Sequence, residues 1–412
     1  MADAGQNLVR IAATTKHRPS PAGAGEKSGH EITQEVIGMN KPPASLTALL
    51  MQLDRDGITD YRRYQAVRTY LNFRAREKSI PINGTFELTP LCNLDCKMCY
   101  VHLSKDQMCG AQLLDTATWK QLMKDAVDAG MMYARLTGGE CLTYPGFKEL
   151  YLYLRDMGVE TSILSNGVLM DADMVEFLKE NPPASVQITI YGASEDGYEQ
   201  VTGCRVFSRV MDNIHLLTEA KLPLSIGVTP SGYMTDGEEI IRLLHRLGLP
   251  FRVNAGLMTP RVETGRSLLD ADLDSYVRMT RLRNTLKGQD DYILVDGNSL
   301  PDPVGNNQTQ CGVTCGAGRS AFSIGWNGIM RPCNNFPCTG VDVLALGFDE
   351  SWRQTNEYAK SFPLPAECVG CPYKSICKHC VAEHASGAPI GHANPAICAW
   401  GRRMVAEGIL KL

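Results

Sequence analysis

The sequence has no dominant charge. Its 412 residues carry 41 Lys and Arg against 45 Asp and Glu, a net charge of −4. That near balance excludes a strongly basic nucleic-acid footprint and an acidic tail. No apolar run approaches the ~18 residues that cross a bilayer, so no membrane partner is expected. The opening stretch MADAGQNLVRIAATTKHRPS has no continuous apolar segment, so no secretory signal is expected and the chain is placed in the cytoplasm. Its eight histidines include no H-x-x-x-H metal pair. His379 and His384 lie among cysteines and read as structural. Its four Trp and scattered Met form no stripe that calls for a cofactor.

What the sequence has in excess is cysteine. Fifteen cysteines without an export signal point away from disulfides and toward metal, because cytosolic thiols stay reduced. The count is odd, which rules out complete pairing within one chain. Three crowd together at 92–99, nine lie from Cys311 to Cys398, and none falls between Cys204 and Cys311.

The organisation follows from changes of texture. Residues 1–44 are rich in Ala, Gly, Pro and Ser and read as a flexible tail. Residues 45–82 read as a helical segment, with Ser45 a candidate N-cap and Gly57 a break. It either covers the open end of a barrel or serves as a partner-binding arm. From 83 to 304, short apolar runs at 86–89, 134–138, 160–167, 185–192, 224–229 and 251–256 alternate with helix-like runs at 115–129, 146–157, 172–180, 206–220, 236–247 and 270–287. Six such repeats predict an α/β fold with a parallel sheet, either an incomplete (β/α) barrel or a doubly wound open sheet. Residues 305–400 are crowded with Gly, Pro, Cys and Asn, and their periodicity is weak. Burial alone cannot hold such a segment, and bound metal would supply the missing stability. Residues 401–412 read as a terminal helix.

The trio Cys92-x3-Cys96-x2-Cys99 follows the first strand, at what would be the C-terminal face of a barrel, where active sites sit. Three soft thiolates suit an iron–sulfur cluster with one iron left without a protein ligand. The alternative is a structural zinc completed by a distant ligand such as His102. CNLDCKMCY, with Tyr100 after the last cysteine, resembles the signature of the radical S-adenosylmethionine (radical SAM) superfamily. The resemblance implies a partial (β/α)6 TIM-like barrel. It also implies a [4Fe–4S] cluster on Cys92, Cys96 and Cys99 whose open iron binds SAM, and reductive cleavage of SAM to a 5′-deoxyadenosyl radical.

Other motifs match in order. Gly138-Gly139-Glu140 resembles the family's GGE motif, which receives the SAM amino group. Ser165 and Asn166 resemble its ribose-contacting position, though Asn166-Gly167 is equally a turn signal. Thr189 closes the fourth strand. Arg205 is the candidate for the SAM carboxylate, with a plain surface arginine as the alternative.

The C-terminal cysteines resemble the SPASM extension of radical SAM proteins. That extension is shared by maturases of subtilosin-type peptides, the pyrroloquinoline quinone precursor, anaerobic sulfatases and the mycofactocin precursor. The resemblance implies two auxiliary [4Fe–4S] clusters, and so three clusters in all. The first would use Cys315, Cys333 and Cys380 with Cys311 or its rival Cys338, and the second Cys368, Cys371, Cys377 and Cys398. The implied function is oxidative modification of a ribosomally made (RiPP) precursor peptide, through a thioether or a C–C crosslink. The implied partners are an electron donor such as flavodoxin or ferredoxin and, because no complete recognition domain is visible in residues 1–82, a separate leader-recognition protein. Two alternatives stand beside it. A formylglycine-generating sulfatase maturase would place an Asp base where this chain has Asn334. A non-catalytic iron–sulfur protein would not need the GGE motif. Cys141 and Cys204 read as buried hydrophobes, while Cys109 and Cys338 are open to substrate contact.

Overall fold

The computed structural model describes residues 45–55, 57, 59, 61–108, 110–254, 273–286, 312–336, 338–374 and 380–409. The expected tail, Cys109, Cys311, Cys377 and His379 lie outside them.

Two helices, α1 (Leu46–Arg55) and α2 (Tyr61–Lys78), open the described chain. Then β1 (Asn83–Glu87), α3 (Thr116–Asp128), β2 (Tyr133–Thr137), α4 (Phe147–Asp156), β3 (Glu160–Ser165), α5 (Ala172–Glu180) and β4 (Ser185–Ile190) alternate. After β4 come α6 (Glu195–Thr202), α7 (Phe207–Glu219), β5 (Leu224–Val228), α8 (Gly237–Arg246), β6 (Phe251–Val253) and α9 (Leu273–Leu286). The C-terminal region adds β7 (Ala321–Ile324), β8 (Ile329–Arg331), β9 (Val341–Asp342), α10 (Val343–Leu346), α11 (Phe348–Ser361), α12 (Val381–Gly387) and α13 (Pro395–Ala406).

The nine strands among the described residues form one sheet in the order β6-β5-β4-β3-β2-β1-β7-β8-β9. From β1 to β6 every neighbouring pair is parallel and consecutive. A doubly wound sheet reverses its order at a switch point. From β1 to β6 the winding never reverses, as in a partial TIM-like barrel, and β7 is added on the free edge of β1. Its two faces differ in chemistry. Phe86, Leu136, Ile163, Val186, Ile188, Ile190, Ile226 and Val228 are fully buried under the helices. The alternate residues Thr85, Arg135, Ser162, Gln187, Thr189 and Arg252 are half-buried and polar. The period-2 pattern of each strand therefore sets an apolar outer face against a polar inner one.

The helices begin and end where local chemistry directs. The side chains of Asp115, Asp171 and Ser194 accept from Thr118 N, Met174 N and Gly197 N and so cap α3, α5 and α6. Gly203, left-handed at φ 70, ends α6. Ser194 and Gly203 thus bracket a helix that hydropathy alone does not reveal.

Two placements orient the barrel. The Tyr64 hydroxyl on α2 donates to Glu160, and Arg68 lies 3.3 Å from Glu160 and 4.6 Å from the Tyr133 ring centroid. Glu160 and Tyr133 begin β3 and β2, so α2 covers the N-terminal ends of these strands. At the other edge β7 runs parallel to β1, which makes the C-terminal region continuous with the barrel sheet. The segment read as weakly periodic holds the 14-residue helix α11, whose buried side includes Ser351, Thr355 and Asn356 beside Phe348, Trp352 and Ala359. Polar residues on the buried stripe mask it from a hydropathy reading. The terminal helix begins at Pro395, its first turn capped by Asn394, earlier than the expected residue 401.

Phe322 on β7 secures the junction. Its ring is 5.9 Å from Phe86, 5.2 Å from Phe348 and 6.3 Å from Trp352, centroid to centroid. Phe322→Ala should cost about 3–5 kcal/mol of stability in urea unfolding, through lost burial and the cavity left behind. A loss below about 1 kcal/mol would show that β7 is not anchored this way.

Candidate active site

The site begins with two glycines. At Gly138, with φ +155, an added Cβ would lie 2.4 Å from Thr89 O. At Gly139 it would lie 2.4 Å from Leu91 O and 2.6 Å from Pro90 O. Gly139 N donates to Thr89 O at 2.7 Å, and Glu140 N to Leu91 O at 2.9 Å. Hence the glycines admit backbone, namely the start of the cysteine loop, against the end of β2.

Glu140 continues the seam. Its carboxylate accepts from Asn166 N at 2.7 Å and Leu142 N at 3.1 Å, and it caps the 3-10 turn Cys141–Thr143. The side chain is buried, and burial raises its pKa against the pull of those amide donors. The acid of the GGE motif thus ties the end of β2 to the end of β3. Ser165 is also engaged, its hydroxyl accepting from Gly167 N at 3.0 Å.

The cysteine loop is held from the other side by α6. Asp95 N and Lys97 N donate to Thr202 O and Val201 O at 2.9 and 3.0 Å. These are carbonyls at the C-terminal end of α6, left without intrahelical partners. Within the loop, Leu94 N lies 3.4 Å from Cys92 Sγ, His102 N 3.3 Å from Cys99 Sγ, and Asn166 Nδ2 3.5 Å from Cys92 Sγ. Burial, then the charge of Glu140, pushes the Cys92 thiol up to about 12. Tyr191, just after β4, packs in the same core as Cys92, Cys96 and Cys99, and burial, then the charges of these cysteines, pushes its hydroxyl up.

This donor set fits an iron–sulfur cluster. Three thiols sit on one loop at the C-terminal ends of the strands, partly shielded from water, with N–H groups aimed at sulfur. Among the described residues no three His, Cys, Asp or Glu side chains are grouped for a single metal ion. The alternative zinc ligand His102 instead has its ring 3.5 Å from Asp95.

Tyr100 bridges three segments. Its hydroxyl lies 3.3 Å from Glu87 Oε1 at the end of β1 and accepts from Asn334 Nδ2 at 3.1 Å. Sequence reasoning missed Glu87, a buried carboxylate at a strand terminus. Thr189 lies on the polar inner face, beside Gly227 and near Gln187, whose amide oxygen accepts from Arg252 at 2.6 Å. Arg205 is not brought to the site. Its guanidinium pairs with Asp196 at 2.6 Å and Glu199 at 2.7 Å on the exposed side of α6. Two adjacent carboxylates on the same helix capture it, which is the surface-arginine alternative.

The described C-terminal cysteines fall into two groups. Cys315, Cys333 and Cys380 pack against one small core, and burial, then the charges of Cys315 and Cys380, raises Cys333 well above the ordinary thiol range. Cys368 is raised by burial, then by Cys398 and Cys371. Cys311 and Cys377, which the sequence resemblance also assigned to these sets, lie outside the described residues. Cys338 packs in the same small core as Cys315, Cys333 and Cys380, but the charged neighbour acting on it is Arg331.

Comparison with known proteins agrees with this geometry. The model of the Radical SAM superfamily matches residues 86–229. The chain is 26% identical over 297 residues to the sporulation killing factor maturation protein SkfB of Bacillus subtilis, covering 71% of this chain and 68% of that protein. It is 22% identical over 357 residues to the antilisterial bacteriocin subtilosin biosynthesis protein AlbA of the same organism, covering 82% and 75%. Streptococcus suis SuiB bound to S-adenosylmethionine superposes with a TM-score of 0.61 at 16% identity, over 89% of each chain. SuiB bound to its precursor peptide SuiA gives 0.58 at 15% identity, over 96% of this chain and 87% of that one. The structural likeness is one of fold.

Gly139→Ala should unseat the cysteine loop, since the methyl group meets two carbonyl oxygens. Anaerobically reconstituted variant should lose iron bound by the Cys92–Cys99 loop. Full iron content in that variant would contradict the packing. Buried thiols also set a pH dependence in the metal-free chain. Cys92 and Cys141 have raised folded pKa values, so the unfolded chain releases their protons first. Stability should fall as pH rises above about 8.5, the free-thiol value, toward 12. The cluster-loaded protein, its ligands already deprotonated, should lack the part of this slope due to Cys92. Urea midpoints across that range, flat for the metal-free chain, would contradict the assignment.

Proposed function

We propose that this chain, whose residues 86–229 form a radical SAM domain, is a maturase that oxidatively modifies a ribosomally made precursor peptide. The observation that carries the reading is the three-cysteine loop docked on the strand ends, together with two further cysteine groups in the C-terminal region. The relatives named for peptide maturation and bacteriocin biosynthesis support it, as does the fold shared with a protein that binds a precursor peptide.

Cys92, Cys96 and Cys99 would hold the first cluster. Cys315, Cys333 and Cys380 with Cys311 would hold a second, and Cys368, Cys371, Cys377 and Cys398 a third. When bound, the clusters and SAM supply one-electron chemistry, namely SAM cleavage, hydrogen abstraction from carbon and removal of an electron from the substrate. The protein's own residues do the rest. Gly138, Gly139 and Glu140 fix the cysteine loop. Tyr191 stands beside its sulfurs, and the polar inner face with Thr189, Gln187 and Arg252 offers hydrogen bonds to a peptide backbone and to the polar groups of SAM.

Residues 83–304 would act as the barrel and 305–400 as the cluster-binding extension, with 45–82 packed beneath. The setting would be cytoplasmic, with a flavodoxin or ferredoxin as electron donor and a separate leader-recognition protein. No helix among the described residues is long and apolar enough to cross a membrane. The formylglycine-forming reading is weaker. Asn334 sits where that chemistry wants an Asp, and its amide donates to Tyr100 instead of accepting a proton.

Reconstituted protein should carry about twelve irons, four per cluster. Cys96→Ala should reduce that by about one third and abolish 5′-deoxyadenosine formation. Undiminished 5′-deoxyadenosine would overturn the ligand assignment. Incubation with peptides encoded beside the gene should give a product lighter by two hydrogens, read by mass spectrometry. Formylglycine on a sulfatase peptide would replace the crosslinking reading.

A further inference from the structure

Asn166 is the side chain whose observed bonds depart most from its expected role as a ribose contact. It is 6% exposed, at the end of β3. Its Oδ1 accepts from Val168 N at 3.0 Å. That acceptor bond fixes which way the amide faces, so Nδ2 must point the other way. There it meets Asn93 Oδ1 at 2.8 Å and Cys92 Sγ at 3.5 Å. An amide has two N–H protons, and both are directed into the cysteine loop. The Asn166 backbone N–H is bound by Glu140. One residue thereby joins the end of β3, the acid of β2 and the first cysteine of the trio.

We propose that Asn166 is a positioning residue that sets the reduction potential of the first cluster by donating a hydrogen bond to Cys92 sulfur. The inference rests on the cluster assignment made above. An N–H donor at a ligating sulfur stabilises the more negative, reduced state of a cluster, because it offsets charge that accumulates on sulfur. Loss of the donor makes reduction harder. The other described donor to Cys92 is the Leu94 backbone, which no side-chain substitution removes. Asn166 is thus the adjustable member of the pair, and the proposed role acts on electron entry.

The test compares the parent enzyme, Asn166→Leu and Asn166→Gln, all anaerobically reconstituted. Leu is close in size to Asn and has no donor, and Gln restores the amide on a longer arm. Iron content, SAM affinity and the potentiometric titration of each cluster's electron paramagnetic resonance signal are measured. Asn166→Leu should keep the parent's iron, shift the first cluster to a more negative potential and leave the C-terminal clusters where they were. Asn166→Gln should move it part of the way back. If Leu prevents loading of the first cluster, Asn166→Ala takes its place. An unmoved potential in a fully loaded variant overturns the proposal, as does weakened SAM binding with the potential unmoved, which would return Asn166 to the ribose. A parent enzyme that holds no such cluster would instead overturn the proposed function.

Discussion

The arrangement depends on close backbone contact between the start of the cysteine loop and the end of β2. Thr89, Pro90 and Leu91 pass within a Cβ radius of Gly138 and Gly139, and two backbone hydrogen bonds hold them there. A side chain at either glycine would push the loop away from the strand ends. From that contact follow the places of Cys92, Cys96 and Cys99, the burial of Glu140, and the nearness of Tyr191 to the three sulfurs. Precision at the site comes from rigid strand termini welded to one another, with a loop held between β2 and α6.

The second organising feature is the asymmetry of the sheet. Consecutive parallel strands carry their helices on one side. Isoleucine and valine fill the covered face. Thr85, Arg135, Gln187, Thr189 and Arg252 line the other. The polar wall is closed below by α2 and extended by β7.

Much of this was legible in the sequence. The six alternating repeats place the strands to within a few residues, because buried parallel strands must be short, apolar and β-branched, and each helix needs its own apolar stripe. The cysteine spacings were legible because thiolate chemistry admits few alternatives. What stayed hidden depended on tertiary contact. Glu140 looked like an open acceptor, but backbone amides from two segments enclose it. Arg205 looked available, but Asp196 and Glu199 on the preceding helix capture it. Helix α11 was obscured because Ser351, Thr355 and Asn356 occupy its buried stripe, with Asn356 bonded to Gly318 O at 2.7 Å. The chain from Glu87 through Tyr100 to Asn334 crosses three distant segments and leaves no local pattern at all.

The central claim is that three cysteines leave one iron of the first cluster open to the nucleotide. The most direct measurement is the Mössbauer spectrum of iron-enriched enzyme before and after addition of SAM. One iron of that cluster should change its isomer shift as nitrogen and oxygen ligands join it. A spectrum in which no iron responds to SAM, at concentrations that saturate binding, would contradict the account.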